Sequence, residues 1–199
     1  MLLLGLTGLN ASGKGTVADH LVRQGFAYHS LSDAIRDVLR ERGLEPTRER
    51  MIVTGRELRA AGGPGALAAL IQRRLEPGRD AIIDSVRTPG EVEILRALPS
   101  FRLLEVFAPE AIRFERIRSR GRVGDPVDLE TFRRLEAAEL TGDDAGQQLV
   151  ATAALADCRI ENEEGADALA RSVDELVASL RLELTGAGGH AAVPSRQHE

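Results

Sequence analysis

Nine residues near the start of the chain, Gly8-Leu-Asn-Ala-Ser-Gly13-Lys14-Gly15-Thr16, combine three glycines with a lysine in a pattern suited to binding phosphate. Glycines let successive backbone N–H groups turn inward around phosphate oxygens, and the start of a helix adds its positive dipole end. Lys14 is the only lysine among 26 basic residues, so this position evidently needs a compact ammonium rather than the planar head of arginine. The predicted phosphate contacts are Gly8, Asn10, Ala11, Ser12, Gly13, Lys14, Gly15 and Thr16.

An apolar segment at 2–7 precedes this loop, and a helical pattern at 16–24 follows it, which is the order of a P-loop. The alternative is a chance glycine turn before an amphipathic helix. Most P-loops carry Ser or Thr directly after the lysine to hold Mg²⁺, whereas this chain has Gly15 there. Thr16, one residue later, is a possible metal ligand.

The rest of the chain alternates predicted strands with predicted helices. Further strands are predicted at 25–30, 80–84, 103–107 and 157–161. Further helices are predicted at 31–42, 46–61, 65–75, 89–98, from Pro109 onward, and at 167–182. This pattern predicts an α/β fold with a five-stranded parallel sheet flanked by helices, and ligands at the carboxyl ends of the strands.

Two acidic–basic pairs follow predicted strands at that edge. Asp33 and Arg36 come after the second strand, where Ser32 is the expected helix N-cap. Asp84 ends the third strand, where a carboxylate could organise Mg²⁺ and its waters, and Arg87 follows three residues later. The alternatives are an ordinary i,i+3 ion pair for Asp33 and Arg36, and a polar end of a strand for Asp84.

Five arginines between positions 113 and 122 form the strongest positive cluster. Arg116 and Arg120 are one helical turn apart, and glycines at 121 and 124 could act as hinges around Arg122. A solvated helix face and an RNA-binding patch are the alternatives, although Phe114 is the only aromatic residue in the cluster. We interpret the cluster as a lid that closes over polyphosphate and neutralises the transferring group.

Together, these motifs resemble the nucleoside monophosphate kinase branch of the P-loop kinases. The matching segments are G-K-G-T, S-x-S-D-x-I-R, D-S-x-R and R-x-x-x-R-G-R before G-D-P, and the resemblance covers about residues 1–180. The chain is similar in particular to small nucleotide-kinase-like and dephospho-CoA-kinase-like proteins. Ser85-Val86 departs from the Gly-Phe-Pro of the family motif, and the lid is short.

The resemblance implies roles for individual residues. Arg36 and Arg87, with Asp33, would bind the acceptor, while Arg116, Arg120 and Arg122 would act with Lys14 and Asp84 in catalysis. It also implies that Asn162, within the segment 161–165, belongs to a loop that contacts the adenine of ATP. A simple strand-to-helix turn is the alternative there. Gln147 and Gln148 have no assigned role.

Composition excludes several other classes of protein. Cys158 is the single cysteine, so there is no disulfide framework or cysteine-rich metal site. No apolar run is long enough to cross a membrane, and the N-terminus lacks the basic start of a signal peptide, so we expect a cytoplasmic protein. A net charge of −5 argues against a general nucleic-acid-binding surface.

The sequence therefore predicts an enzyme that uses ATP and Mg²⁺ to phosphorylate a nucleoside or deoxynucleoside monophosphate. Dephospho-CoA kinase, with Asp33 as base, is the first alternative, and a non-catalytic nucleotide-dependent switch is the second. We expect one domain over 1–185, a monomer or homodimer, with an acceptor-binding arm at 32–79 and a lid region at 116–150. Residues 186–199 are predicted to be a disordered tail.

Overall fold

A computed structural model describes residues 1–121, 125–140 and 148–186, without the side chains of residues 48 and 138–140. Arg122, Gln147 and nearly all of the expected tail lie outside the described residues. Within them the chain forms five strands and nine helices. The strands are β1 (Leu3–Thr7), β2 (Ala27–Ser30), β3 (Ala81–Asp84), β4 (Phe101–Phe107) and β5 (Cys158–Glu161). The helices are α1 (Lys14–Arg23), α2 (Leu31–Glu41), α3 (Arg48–Gly62), α4 (Ala66–Gln72), α5 (Pro89–Arg96), α6 (Glu110–Arg120), α7 (Leu129–Leu140), α8 (Leu149–Ala153) and α9 (Ala166–Gly186).

All five strands are parallel and lie in the order β2-β3-β1-β4-β5, which confirms the predicted fold class. The central strand β1 is buried at every position, as expected for a parallel sheet covered on both faces. From β1 the chain passes to β2 and β3 on one side of the sheet, and it then crosses to β4 and β5 on the other side. The loop after β1 therefore lies at the point where the strand order reverses, which is where ligands bind in open α/β sheets.

Side chains of β1 alternate between two hydrophobic cores. Leu3 packs in the core formed with α2, α4 and α5, whereas Leu4 and Leu6 pack in the core formed with α1 and α9. Gly5 has no side chain because a Cβ there would lie 2.6 Å from the ring of Phe101. These two cores fix the sheet and the helices that begin at its carboxyl edge.

Residues 32–79, the segment expected to form the acceptor arm, include helices that pack in the main core. Buried residues of α2 and α4, including Leu39 and Leu67, belong to the same core as β1 and β3. Helix α3 contributes only partly buried hydrophobic residues, Met51 and Leu58, to that core. Helix α3 contacts α2 and α4, the two helices of this segment that belong to the main core.

Several predicted boundaries were wrong. The N-cap of α2 is Ser30 rather than Ser32, because the Ser30 hydroxyl accepts the Ser32 N–H at 3.2 Å while Ser32 is already helical. Strand β4 begins at Phe101, two residues early, since it pairs with β1 over five positions. Helix α7 was missed inside the lid region, and α9 extends four residues beyond its predicted end at Leu182.

No helix in the described parts of the chain is long and apolar enough to cross a membrane. Cys158 is half-buried in β5, and burial is the main cause that raises the pKa of its thiol. A raised pKa keeps this thiol protonated at neutral pH, in agreement with a packing role.

Candidate active site

The loop between β1 and α1 has the backbone shape that its glycines predict. Gly8 and Gly13 have φ values of 134° and 111°, which side chains rarely adopt. A Cβ at Gly8 would lie 2.3 Å from the Val106 carbonyl oxygen, and one at Gly13 would lie 2.1 Å from the Asn162 side-chain nitrogen. Even Ala11 has a φ of 61°. The loop is thus wrapped tightly against β4 and the end of β5, with the N-terminus of α1 behind it.

Lys14 is the first residue of α1, and its ammonium lies over the loop. Its Nζ donates to the carbonyl oxygens of Gly8 and Leu9, each at 2.8 Å. The positive charge and the helix N-terminus therefore coincide at one place, which suits an anion.

Gly15 lies where a P-loop commonly has a metal-binding hydroxyl. A Cβ built at Gly15 meets no atom within 4 Å, so packing does not impose glycine there. Thr16 is exposed and lines a cavity of about 210 Å³ between α1 and α9. His20, Arg23, Asp167 and Val173 also line this cavity, which adjoins the phosphate loop through Thr16.

Asp84 ends β3, next to β1, and both of its carboxylate oxygens are held. Oδ1 accepts the Ser85 N–H at 2.6 Å, and Oδ2 accepts the Tyr28 hydroxyl at 3.0 Å. Ser85 adopts a left-handed φ of 67°, a conformation that costs a non-glycine residue about 1–3 kcal/mol and recurs at functional sites. Burial, followed by the charge of Asp84, raises the pKa of Tyr28, so its hydroxyl remains a donor.

This carboxylate fits a water-rich magnesium ion. No cluster of three or more His, Cys, Asp or Glu side chains that could hold a metal occurs among the described residues. Mg²⁺ is commonly bound through one or two carboxylates plus substrate phosphates and keeps several of its waters. Asp84, at the end of the strand that pairs with β1, supplies one such carboxylate.

Arg116 and Asn162 clamp the phosphate loop from the side of β4 and β5. Arg116 donates from Nη1 to the carbonyl oxygens of Ala11 and Ser12, both at 3.3 Å, and from Nη2 to the Asn162 carbonyl oxygen at 2.9 Å. The Asn162 side chain is buried and donates to the Ser12 carbonyl oxygen at 2.8 Å. Burial lowers the pKa of Arg116 from its usual value.

Arg120, one turn later on α6, makes a different set of contacts. Its Nε and Nη2 bind both oxygens of Asp125 at 2.8 and 2.9 Å, and this ion pair raises its pKa. Its Nη1 lies 3.5 Å from the side-chain oxygen of Asn10 in the phosphate loop. The predicted pair of arginines thus reaches the loop together, Arg116 at its base and Arg120 at its rim.

The base of the lid region is held by a buried ion pair that the sequence analysis did not identify. Arg113 bonds both carboxylate oxygens of Glu136 on α7 and lies over the ring of Phe132. Its Nε also donates to the Ala108 carbonyl oxygen at 2.9 Å. Helices α6 and α7 are therefore fixed to each other.

On the β2 and β3 side, Asp33 and Arg36 form the i,i+3 ion pair that the sequence analysis kept as an alternative. Both side chains remain nearly half exposed. Both backbone polar groups of Arg87 are hydrogen-bonded. Its N–H donates to the Glu91 carboxylate at 2.8 Å, and its carbonyl oxygen accepts the Gln148 N–H at 2.9 Å. Gln148, which had no predicted role, therefore ties the start of α8 to the loop after β3.

Sequence reasoning missed Tyr28, Arg59 and Glu91 at this edge. Tyr28 lies in an ordinary strand pattern, and only the strand pairing reveals its neighbour Asp84. The spacing Thr88-x-x-Glu91 is a capping-box signal, and the structure contains that box. No local signal indicates that Arg59, 32 residues earlier, binds the same carboxylate.

Solved kinases share this arrangement of strands and helices. The chain superposes on shikimate kinase from Aquifex aeolicus with a TM-score of 0.54 and 17% identity, covering 93% of this chain and 99% of that one. For a gluconokinase from Sinorhizobium meliloti the TM-score is 0.54 and the identity 15%, with 95% and 98% covered. These superpositions show that the chain has the fold of the two kinases, with a phosphate loop after its central strand.

Sequence comparison then identifies the family. Residues 3–139 match the family model described as AAA domain. Over 184 residues the chain is 33% identical to a UPF0200 protein from Pyrococcus abyssi, covering 89% of this chain and 95% of the relative. The chain therefore belongs to the family described as AAA domain and to the UPF0200 proteins.

Proposed function

We propose that this protein is an ATP- and Mg²⁺-dependent kinase that phosphorylates a nucleoside or deoxynucleoside monophosphate. The observation that carries the proposal is the division of charged residues about the phosphate loop. Arg116, Arg120 and Asn162 lie on the β4 and β5 side. Arg36 and Arg87 follow β2 and β3 on the other side, with Asp84 next to the central strand. Two anionic substrates could approach the loop from opposite sides.

On the donor side, the loop and Lys14 would bind the outer phosphates of ATP. Backbone N–H groups at the start of α1 supply hydrogen bonds and a positive dipole end to those oxygens. Asn162, together with Arg116, would hold the loop in shape beside the adenine. Arg120, and Arg122 beyond it, would neutralise charge on the transferring phosphoryl group when the lid region closes.

On the acceptor side, Arg36 and Arg87 would grip the dianionic phosphate of the monophosphate. A planar guanidinium can bind two phosphate oxygens at once, which fixes the direction of attack. An acceptor phosphate oxygen then bonds to the γ-phosphorus while the bond to the β–γ bridging oxygen breaks, releasing ADP. Asp84, held by Tyr28 and Ser85, would orient the waters of Mg²⁺, which supplies further neutralisation of phosphate charge.

Dephospho-CoA kinase is the second candidate, and the position of Asp33 favours it. Asp33 lies near enough to Tyr28 for its charge to contribute to the raised pKa of that residue, so it belongs to the same edge as Asp84. A carboxylate there could accept the proton of a ribose hydroxyl. In that case the Asp33–Arg36 ion pair would orient the base rather than bind a phosphate.

An assay of ADP release by the full chain with ATP and Mg²⁺ tests whether the protein is a kinase. We expect ATP consumption to rise severalfold or more when a nucleoside monophosphate is added. ATP consumption that no acceptor stimulates would instead indicate a nucleotide-dependent switch and would contradict the proposal.

A further inference from the structure

Glu91, in the first turn of α5, is a fully buried carboxylate with 0% exposure. One oxygen, Oε2, accepts the N–H groups of Arg87 and Thr88 at 2.8 and 3.1 Å. The other, Oε1, accepts Nη2 of Arg59 at 2.8 Å. The carboxylate therefore connects the backbone of a proposed acceptor-binding arginine to a side chain from α3.

Arg59 reaches this site from α3, a helix of the proposed acceptor arm. Its side chain is only 11% exposed, and its Nε is buried with no hydrogen-bond partner among the described residues. Two charges are costly to remove from water, and a buried ion pair is weak evidence for stability in itself. What the pair does provide is a fixed geometry, since loss of either partner leaves a buried charge uncompensated.

A second set of contacts joins the same two parts of the molecule. The Thr88 hydroxyl donates to the Pro64 carbonyl oxygen at 3.3 Å, at the turn between α3 and α4. Gly90 packs so closely on this turn that a Cβ would lie 2.4 Å from the Pro64 Cβ. The turn of the arm and the first turn of α5 thus form one joint, with the Arg59–Glu91 ion pair buried in it.

We propose that Arg59 is a positioning residue that sets the conformation of the Arg87 loop through Glu91, and so tunes binding of the acceptor. The effect on the acceptor rests on the proposed function, whereas the effect on the loop does not. Arg59 fixes the orientation of the Glu91 carboxylate, and that carboxylate fixes the N–H groups of Arg87 and Thr88. Any displacement of α3 by a substrate would reach Arg87 by the same route.

Amide hydrogen exchange in Arg59→Met, measured by NMR, tests the first step without a substrate. The Val86 amide is an internal reference because it is bound to the Leu6 carbonyl oxygen in the sheet region. We expect the Arg87 and Thr88 amides to exchange at least about tenfold faster than in the native chain, with Val86 unchanged. Equal exchange at Arg87 and Thr88 in the two proteins would overturn the proposal.

Steady-state kinetics with a monophosphate that the native chain phosphorylates test the effect on acceptor binding. Arg59→Met should raise the acceptor KM at least about tenfold and leave the ATP KM within about twofold, with partial recovery in Arg59→Lys, which keeps the charge. The control is Arg42→Ala, which removes an exposed ion pair to Glu57. Glu57 lies on α3 like Arg59, and this change should alter neither KM. Equal rises in both KM values would show a general structural role and overturn the proposal.

If Arg59→Met does not fold, the double variant Arg59→Met/Glu91→Gln leaves no unpaired charge and takes its place. The new amide oxygen can still accept the two backbone N–H groups, but Arg59 no longer orients it. Faster exchange at Arg87 and Thr88 is again expected, and native exchange rates would again contradict the proposal. If the native chain phosphorylates no monophosphate, the proposed function fails, while the exchange result still decides the role of Arg59.

Discussion

Lys14 is notable both as the single lysine of the chain and for its position at the start of α1. Arginine supplies every other cation of the chain, and the single lysine begins α1 with its Nζ between two loop carbonyl oxygens. A guanidinium is wider and planar, so it cannot occupy a position built for an ammonium. We infer that phosphate binding, rather than folding, requires a lysine at this position.

Lys14→Ala and Lys14→Arg should therefore both abolish phosphate transfer. The hydrogen bonds of Nζ to the loop carbonyl oxygens of Gly8 and Leu9 are lost, but no buried hydrophobic contact is, so we expect the melting temperature to fall by only a few degrees. Arg23→Ala removes a cation from the same helix and serves as the control. Near-native turnover in Lys14→Arg would contradict the argument from the single lysine.

Arg87→Ala tests the acceptor side at the level of one side chain. If Arg87 grips the acceptor phosphate, the loss should raise the acceptor KM or lower kcat at least tenfold, about 1.4 kcal/mol. An arginine in an exposed ion pair would cost at most about 1 kcal/mol, and commonly a few tenths. Steady-state kinetics at saturating ATP distinguish these outcomes, and a change under twofold would rule out a phosphate contact.

At the scale of elements, the phosphate loop depends on strands that are distant in sequence. Asn162 follows β5 and donates to the Ser12 carbonyl oxygen, while Arg116 on α6 contacts the same carbonyl and Asn162 itself. The close approach of Gly13 to the Asn162 side chain explains why residue 13 must be glycine. Donor binding therefore depends on how β5 and α6 pack against the loop.

Asn162→Ala should weaken ATP binding and lower stability together. It leaves the Ser12 carbonyl without one donor and removes a buried side chain, a loss of about 1–3 kcal/mol. Calorimetric melting and ATP titration measure the two effects, and Glu175→Ala, which changes an exposed residue of α9, is the control. An unchanged ATP affinity in Asn162→Ala would show that the clamp is dispensable for nucleotide binding.

Most elements could be predicted because the sheet pattern and the glycine loop are local signals. Lys14, the strand ends at Ser30 and Asp84, and the helix after Pro109 all follow from short segments. The contacts of Tyr28 with Asp84 and of Arg59 with Glu91 could not be predicted, since they depend on strand pairing and helix packing. Helix α7 was missed because the arginine-rich segment before it was interpreted as a single lid.

At the scale of the whole molecule, the central strand lies between two groups of charged and polar residues. Arg116, Arg120 and Asn162 belong to elements on the β4 and β5 side, whereas Asp33, Arg36 and Arg87 belong to elements on the β2 and β3 side. The arm is joined to the main body through α2, α4 and the Arg59–Glu91 ion pair. We therefore expect closure around substrates to involve α3 and the lid region more than the sheet.

The central claim is that the acceptor is a nucleoside monophosphate, and one measurement tests it most directly. ADP release by the native chain is followed with ATP, Mg²⁺ and, in turn, each ribonucleoside and deoxyribonucleoside monophosphate and dephospho-CoA. We predict acceptor-dependent turnover with at least one monophosphate and none with dephospho-CoA, because Arg36 and Arg87 follow β2 and β3 on the proposed acceptor side, where a dianionic phosphate would bind. Robust turnover with dephospho-CoA and none with any monophosphate would contradict the account, whatever the effect of Arg87→Ala.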